Sequence, residues 1–417
     1  MILKFRNYKV LYEINLVIIA LLLPFTEYFS IQFVSISIIL LMLGWLLFND
    51  KSRFFSLTKS EKLILFFFIL SYLINLTSLF RGGSSIAEKV LIKKLALLLL
   101  PIIIATGPRL TLLQIKRIIF CFILSLVIST IPTYSIGINN LLSPQNDLND
   151  LADILLIHRP YFGLFCAFSV IALLVLLKFK DNIYKKITSF LIIIYLLFFA
   201  GIIYAKMALI AFFLTVVLSG LVWLLNKRFY MYSILLAAIL LVGGFLGYQK
   251  TPSIKYNISN VLAGKDFSFN EYNILVVGSI NTRYVNWGCA FKVLNTDNNW
   301  LYGVGSGNSQ NKLQECYKTR NLWVYESKMN SHNQFIEETL YNGIGGMLIF
   351  LCSLLLPGII SFKRGDFLHL SFLILFTLCC LTESILSRQV GIIFYSFFNS
   401  ILFFNFKKNP ESITLHE

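Results

Sequence analysis

The stretch "MNSHNQFIEETLYNGIGGMLIF", residues 329–350, joins two kinds of chain. Its first half is polar and carries His332, Asn333, Glu337 and Glu338; its second half is a glycine-rich apolar run. Ser331 stands in a helix-capping position with acids in the turns that follow. A helix that starts in polar surroundings and continues for roughly 20 apolar residues is what a membrane span requires. The sequence therefore puts a titratable imidazole where the chain enters a membrane.

Working outward, the same apolar texture fills most of the chain. Of 417 residues, 57% are hydrophobic and 13% charged, against roughly 25% charged in a soluble domain. These values imply an all-α polytopic membrane protein. About twelve stretches are long and apolar enough to be candidate transmembrane helices: residues 11–29, 31–48, 62–80, 90–106, 117–135, 161–178, 187–204, 207–226, 231–248, 341–362, 367–385 and 389–406. The fourth is the shortest. The expected organisation is residues 1–248 with the first nine spans, a polar loop of short helices over 249–340, and 341–417 with the last three spans and a tail.

The net charge of +16 does not point to nucleic acid, because the cations cluster in short connections between apolar segments, as topology signals do. Lys4, Arg6 and Lys9; Lys51, Arg53, Lys59 and Lys62; Arg109, Lys116 and Arg117; Lys178, Lys180, Lys185 and Lys186; Lys227 and Arg228; Lys363 and Arg364; and Lys407 and Lys408 all fall on one side if the spans alternate. That side is cytoplasmic by the positive-inside rule, with both termini there, and the first apolar run reads as an uncleaved span. The large loop then lies outside, as do the 136–160 connection and the "TESILSRQ" link at 382–389. The stretch "RGGSSIAEKVLIKK", 81–94, is the basic exception on that side.

Within the loop, "NTRYVNWGCAFKVLN" (281–295) has apolar residues at helical spacing behind a threonine cap, and "GVGSGNSQNKLQECY" (303–317) reads as a glycine turn and a short helix capped by Asn308. The turn lacks the strand and the Lys-Ser/Thr ending of a nucleotide loop. Seven cysteines show no metal-ligand spacing; Cys121, Cys166, Cys352, Cys379 and Cys380 read as small core residues. Cys289 and Cys316 share the loop and can pair if it faces an oxidising compartment.

An ionisable residue in or beside a span is a functional candidate by default. Lys206, Arg159, Arg283, Arg388 and His332 all fall on the expected outer side, near headgroup level. Each has a plainer reading: Lys206 and Arg159 as interfacial anchors, Arg283 as a solvated helix residue, Glu383 and Arg388 as a mutual salt bridge, and His332 as a surface histidine beside Glu337 and Glu338. Together, several cations and one potential base suit chemistry on a phosphate-bearing lipid. His369 and His416 read as inert.

Four segments resemble the O-antigen ligase family, which includes related O-antigen and capsule polymerases. "SHNQFIEETLYNGIGGMLIF" is similar to its His-Asn block running into a glycine-rich span. "NTRYVNWGCAFKVLNTDNNWLYGVGSGN" is similar to its Arg-x-x-x-Trp helix and Gly-Val-Gly-x-Gly turn. "YAKMALIAF" stands where the family has Ser-Arg-x-Ala, and "LTESILSRQVGIIFYSFFNSILFF" resembles its closing span. The resemblance implies a GT-C-like membrane glycosyltransferase of the bacterial inner membrane. Such an enzyme moves a glycan from undecaprenyl diphosphate to a lipid A-core acceptor at the periplasmic face, with inversion and without metal or other cofactor.

By position, the resemblance makes His332 the candidate base, and Arg283 and Lys206 candidates to hold the diphosphate; lysine keeps the charge but loses the bidentate fork of the family's arginine. Arg159 and Arg388 are further donor-binding candidates, and Asn333, Glu383 and Glu337 are candidates to support the site or contact acceptor. A polymerase of the same family, acting on another glycan, is the alternative. A lipid-linked glycan transporter is the other, and it should carry charges deep within several spans.

Overall fold

The computed structural model describes residues 2–26, 31–81, 83–132, 158–177, 182–227, 229, 231–232, 279–320 and 322–405. Nearly all of the candidate span 231–248, the loop up to residue 278, the 133–157 connection and the C-terminal tail lie outside the described residues.

Among the described residues the chain is helical, with no strand. The first six helices are α1 (Ile2–Leu22), α2 (Gln32–Phe48), α3 (Lys59–Leu73), α4 (Ser84–Lys94), α5 (Ala96–Thr106) and α6 (Leu112–Ser129). Next come α7 (Arg159–Leu176), α8 (Ile183–Ile202) and α9 (Lys206–Asn226). The loop supplies α10 (Ser279–Leu294), α11 (Asn299–Tyr302), α12 (Ser309–Arg320) and α13 (Leu322–Glu326), and the chain closes with α14 (Gln334–Arg364), α15 (Phe367–Cys380) and α16 (Gln389–Phe404). Seven segments are long and apolar enough to cross a membrane: Tyr8–Phe25, Lys59–Phe80, Leu112–Ser129, Arg159–Leu176, Ile183–Ile202, Lys206–Leu225 and Gln334–Arg364. Helices α2, α15 and α16 are apolar but shorter. The chain is thus a polytopic helical membrane protein.

The expected span at 90–106 is not one helix. It breaks at Leu95 into α4 and α5, 11 residues each. Helix α4 buries Ala87, Leu91 and Lys94 and exposes Ile86, Lys89, Ile92 and Lys93. Lys94 lies on the same helical face as Ala87 and Leu91, and that face turns the ammonium inward, away from lipid.

The core is aromatic. Phe122 of α6, Phe165 and Phe168 of α7, and Phe394 and Phe398 of α16 pack with ring centroids 4.6–6.0 Å apart. Helix α16 is buried on every side from Val390 to Phe404, so it is the central element. By contrast α2, α8 and α9 leave large apolar side chains exposed, among them Phe33, Leu47, Phe190, Phe198 and Phe213. Such surface belongs against lipid acyl chains.

The two ends of the bundle differ. At the end away from His332, the basic connections are tied down: Arg109 pairs with Glu61 and Arg117 with Glu13, each at 2.6 Å. There Asn405 accepts from the Leu110 amide at 2.8 Å, and His369 is buried in hydrogen bonds of 2.7 Å with Ser361 and Asn399. His369, read from the sequence as inert, is a buried core residue.

At the His332 end, α14 is broken at Gly343, whose φ of +68° suits glycine. The break frees carbonyls that a continuous helix would have satisfied. The glycine turn at 303–308 lies over it: the Val304 amide donates to Leu340 O at 2.7 Å, and the Arg81 guanidinium to Tyr341 O at 3.2 Å. In turn, Ser78 Oγ accepts from the Ser306 amide at 3.2 Å, and Asn308 donates to Arg81 O at 2.5 Å. The expected turn is therefore real, and its glycines serve close backbone approach.

A methyl group at Gly343 would overlap the Leu301 carbonyl and force a left-handed alanine. Gly343→Ala should cost roughly 3 kcal/mol or more. Thermal unfolding of the purified protein in detergent checks this against a Gly345→Ala control, where a methyl meets open space.

Candidate functional site

The site is assembled where α14 begins. Asn333, not Ser331, is the cap: its Oδ1 accepts from the amides of Phe335 and Ile336 at 2.9 and 3.1 Å. Its Nδ2 donates to Leu381 O at 3.0 Å, and its own amide to Ser384 Oγ at 3.2 Å. One asparagine thus starts the helix and ties it to the link between α15 and α16. Ser331 instead secures a carboxylate. Its amide donates to Glu337 Oε2 at 3.1 Å, and its hydroxyl donates to the same oxygen. Glu337 is buried and braces the turn from below.

His332 sits on that turn with φ +47°, a left-handed conformation uncommon for a residue with a Cβ. Its amide donates to Asn330 Oδ1 at 3.0 Å, and Asn330 donates to Ser387 Oγ at 3.2 Å. Those hydrogen bonds hold the strained backbone in place.

The ring is paired with Glu383, Nδ1 to Oε2 at 3.1 Å across 51 residues of sequence. Glu383 is 8% exposed and the histidine 25%. Burial pushes the Glu383 carboxyl up, but the His332 hydrogen bond and the charges of His332, His158 and Arg283 outweigh it and hold it below its usual value. An ionised carboxylate only accepts, so Nδ1 is the donor, and in the neutral ring that tautomer carries its lone pair on Nε2. Of the two readings of Glu383, the plainer one paired it with Arg388; in the fold it pairs with His332.

Arg283 joins the group. It lies on the fifth residue of α10, because the helix starts at Ser279 rather than at a Thr282 cap. Its Nε donates to Thr382 O at 2.9 Å, next to Glu383, and burial lowers the guanidinium pKa against the pull of that carboxylate. Arg388 precedes α16 and acts electrostatically on His158. Arg159 opens α7, partly buried beside Pro160 and one residue after His158. Lys206 opens α9 with its ammonium 5.4 Å over the Tyr204 ring. The structure therefore gathers His332, Glu383, Asn333, Glu337 and Arg283, with Arg388 nearby. Lys206 and Arg159 stand at the starts of two other helices, outside that hydrogen-bonded group.

One group escapes the sequence reading. His158 caps the start of α7 by position, its ring 4.9 Å from the Tyr161 ring. The Tyr161 hydroxyl donates to Ile385 O at 3.2 Å, in the same link. Burial lowers the His158 pKa to about 4, with Arg388 and His332 adding to the shift and Glu383 opposing it. Its position beside Arg159 is the only signal in the sequence. Among the described residues, no group of three or more His, Cys, Asp or Glu side chains is placed to hold a metal ion.

Cys289 and Cys316 form a disulfide with Cα atoms 5.7 Å apart, joining α10 to α12. It sits in a small buried cluster with Val285, Leu313 and Tyr317. The bridge fixes the helix that carries Arg283.

The fold and this cluster define a helical membrane protein with a histidine–carboxylate pair and an arginine gathered at one end of its bundle. A family model described as O-antigen ligase matches residues 190–351, so that part of the chain is similar to the O-antigen ligase family. The matched stretch includes Lys206, Arg283 and His332 but ends before Glu383. No curated protein matches the chain.

Two measurements test this arrangement. A histidine with a depressed folded pKa stays neutral in the fold while the unfolded chain binds a proton. His158 should therefore cost stability as pH falls from 6.5 towards about 4, up to roughly 3 kcal/mol. Chemical unfolding at both pH values should show that loss in the parent protein and a smaller one in His158→Gln. Cys289→Ser should cost about 2–4 kcal/mol and leave residues 279–320 open to protease, read by limited proteolysis.

Proposed function

We propose that the protein transfers a glycan from a polyprenyl diphosphate, of the undecaprenyl type, to a lipid A-core acceptor at the outer face of the bacterial inner membrane. The observation that carries this reading is the His332–Glu383 pair beside Arg283, three residues brought together from separate segments.

The chemistry follows from their types. His332 Nε2 takes the acceptor hydroxyl proton as that oxygen bonds to the anomeric carbon. The bond from that carbon to the diphosphate oxygen breaks, and its electron pair leaves on the diphosphate. Attack opposite the leaving group inverts the centre. Glu383 orients the imidazole and stabilises its charge once protonated, as the carboxylate does in a catalytic triad. Arg283 and Arg388 offset charge building on the leaving group, as fixed cations do in a partly dry site; Lys206 and Arg159 extend that positive rim towards the lipid surface. Asn333 and Glu337 hold the base turn. Diphosphate is already a good leaving group, so no nucleotide is needed. The basic connections at the opposite end, and a disulfide suited to an oxidising compartment, support a periplasmic site with cytoplasmic termini.

His332→Ala should lower transfer by a factor of roughly 10²–10⁴ with expression intact. Arg283→Ala should weaken donor binding with the base in place. The assay uses purified protein, a polyprenyl-diphosphate oligosaccharide and lipid A-core, without nucleotide. Full turnover by His332→Ala would remove the base assignment. In cells, a deletion that leaves full-length glycan on its carrier marks a ligase, and one that leaves single repeats marks a polymerase.

A further inference from the structure

Beneath the base turn lies a charged pair that the proposed reaction does not use. Lys94 Nζ and Glu338 Oε1 are 2.8 Å apart, with side chains 1% and 5% exposed. They come from α4 and α14, separated by 244 residues. A buried ion pair is a weak stability device, since desolvating both charges can outweigh their attraction. In a membrane protein it is a functional candidate by default.

Its connections show what it reaches. Lys94 also donates to Asn75 Oδ1 at 2.9 Å and lies 5.0 Å over the Tyr341 ring, so the ammonium is fixed from three directions. The Glu338 oxygen that takes Lys94 also accepts from Gln334 Nε2 at 2.9 Å. That bond fixes which way the Gln334 amide points. Its other end, Oε1, accepts from the Leu386 amide at 2.7 Å. Leu386 lies in the link that carries Glu383, whose carboxylate orients His332.

We propose that the Lys94–Glu338 pair is a positioning device: through Gln334 it holds the 382–388 link, and with it Glu383, in register with the base turn. Lys94 and Glu338 touch neither substrate nor reacting atoms. Their neighbour Glu337 holds the other side of the same joint, through Ser331 and, at 3.5 Å, Ser384. Successive carboxylates of α14 therefore reach the link by different routes, Glu337 through Ser384 and Glu338 through Gln334.

The test separates positioning from stability. Replacing both charges by apolar side chains of similar length is often neutral for folding, yet here it removes the acceptor that aligns Gln334. In the full-length K94M/E338M protein, thermal stability should stay near that of the parent. Amide exchange across 382–388 should rise about tenfold or more as the Leu386 bond loosens. With a polyprenyl-diphosphate oligosaccharide as donor and lipid A-core as acceptor, kcat should fall about tenfold while donor KM stays within about twofold. Q334M, which keeps both charges, should reproduce the exchange and kcat effects, and the triple variant should lose no more than either.

Exchange and kcat at parent levels in folded K94M/E338M, or losses that multiply to about a hundredfold in the triple variant, overturn the proposal. The kinetic arm alone rests on the base assignment, and His332→Ala in the same assay separates the two. An active His332→Ala removes the base, while the exchange readout still decides the positioning.

Discussion

A membrane helix cannot leave backbone carbonyls unpaired in lipid, because no water is there to meet them. The break in α14 at Gly343 creates that problem where the apolar span gives way to the polar segment bearing the site. The solution is tertiary. Val304 and Arg81 supply donors to the carbonyls of Leu340 and Tyr341. One comes from the glycine turn of the loop and the other from just past the end of the apolar segment Lys59–Phe80. Meeting the broken helix fixes both, and it places the disulfide-linked pair α10 and α12, and so Arg283, against the link beside His332.

The charges near His332 obey a parallel constraint. Each buried carboxylate has a named partner: Glu337 the Ser331 turn, Glu338 Lys94 and Gln334, Glu383 His332. A buried charge without a partner would cost several kcal/mol. The acids are thus fixtures of the frame, which is why the proposed mechanism gives proton transfer to the histidine. His158 meets the same constraint from the other side, since the nearby cations and its burial favour the neutral ring.

Much of this is legible in the sequence, and the parts that are not share a cause. Apolar length alone locates α1, α3, α6, α7, α8, α9 and α14, because a bilayer imposes one requirement on each. The His332 turn, Arg283 and the glycine turn are visible as segments. Their mutual contacts are not, since a 51-residue gap between His332 and Glu383 leaves no periodic trace. Ser331 reads as the cap because serine and asparagine both satisfy the local rule, and only the distant Leu381 carbonyl and Ser384 hydroxyl decide for Asn333. Glu383 reads naturally as a partner for Arg388 in the same short link. Lys94 reads as one more cation in a basic stretch, because charge counting cannot tell a solvated lysine from one paired with a carboxylate on another helix. Cys289 and Cys316 are readable as a possible pair, but their bridge depends on how α10 and α12 pack.

The family match ends before Glu383, the residue that pairs with His332. A His-Asn block on the first turn of a span is a local motif, and it can form wherever Asn333 caps a helix. The carboxylate that selects the tautomer sits on a different connection, held by Asn333, Arg283, Tyr161 and Gln334 from other segments. The reactivity of the imidazole is therefore a property of the packed bundle and not of the motif. On the proposed mechanism, residues away from the chemistry, among them the buried Lys94, bear on the rate through the link they hold.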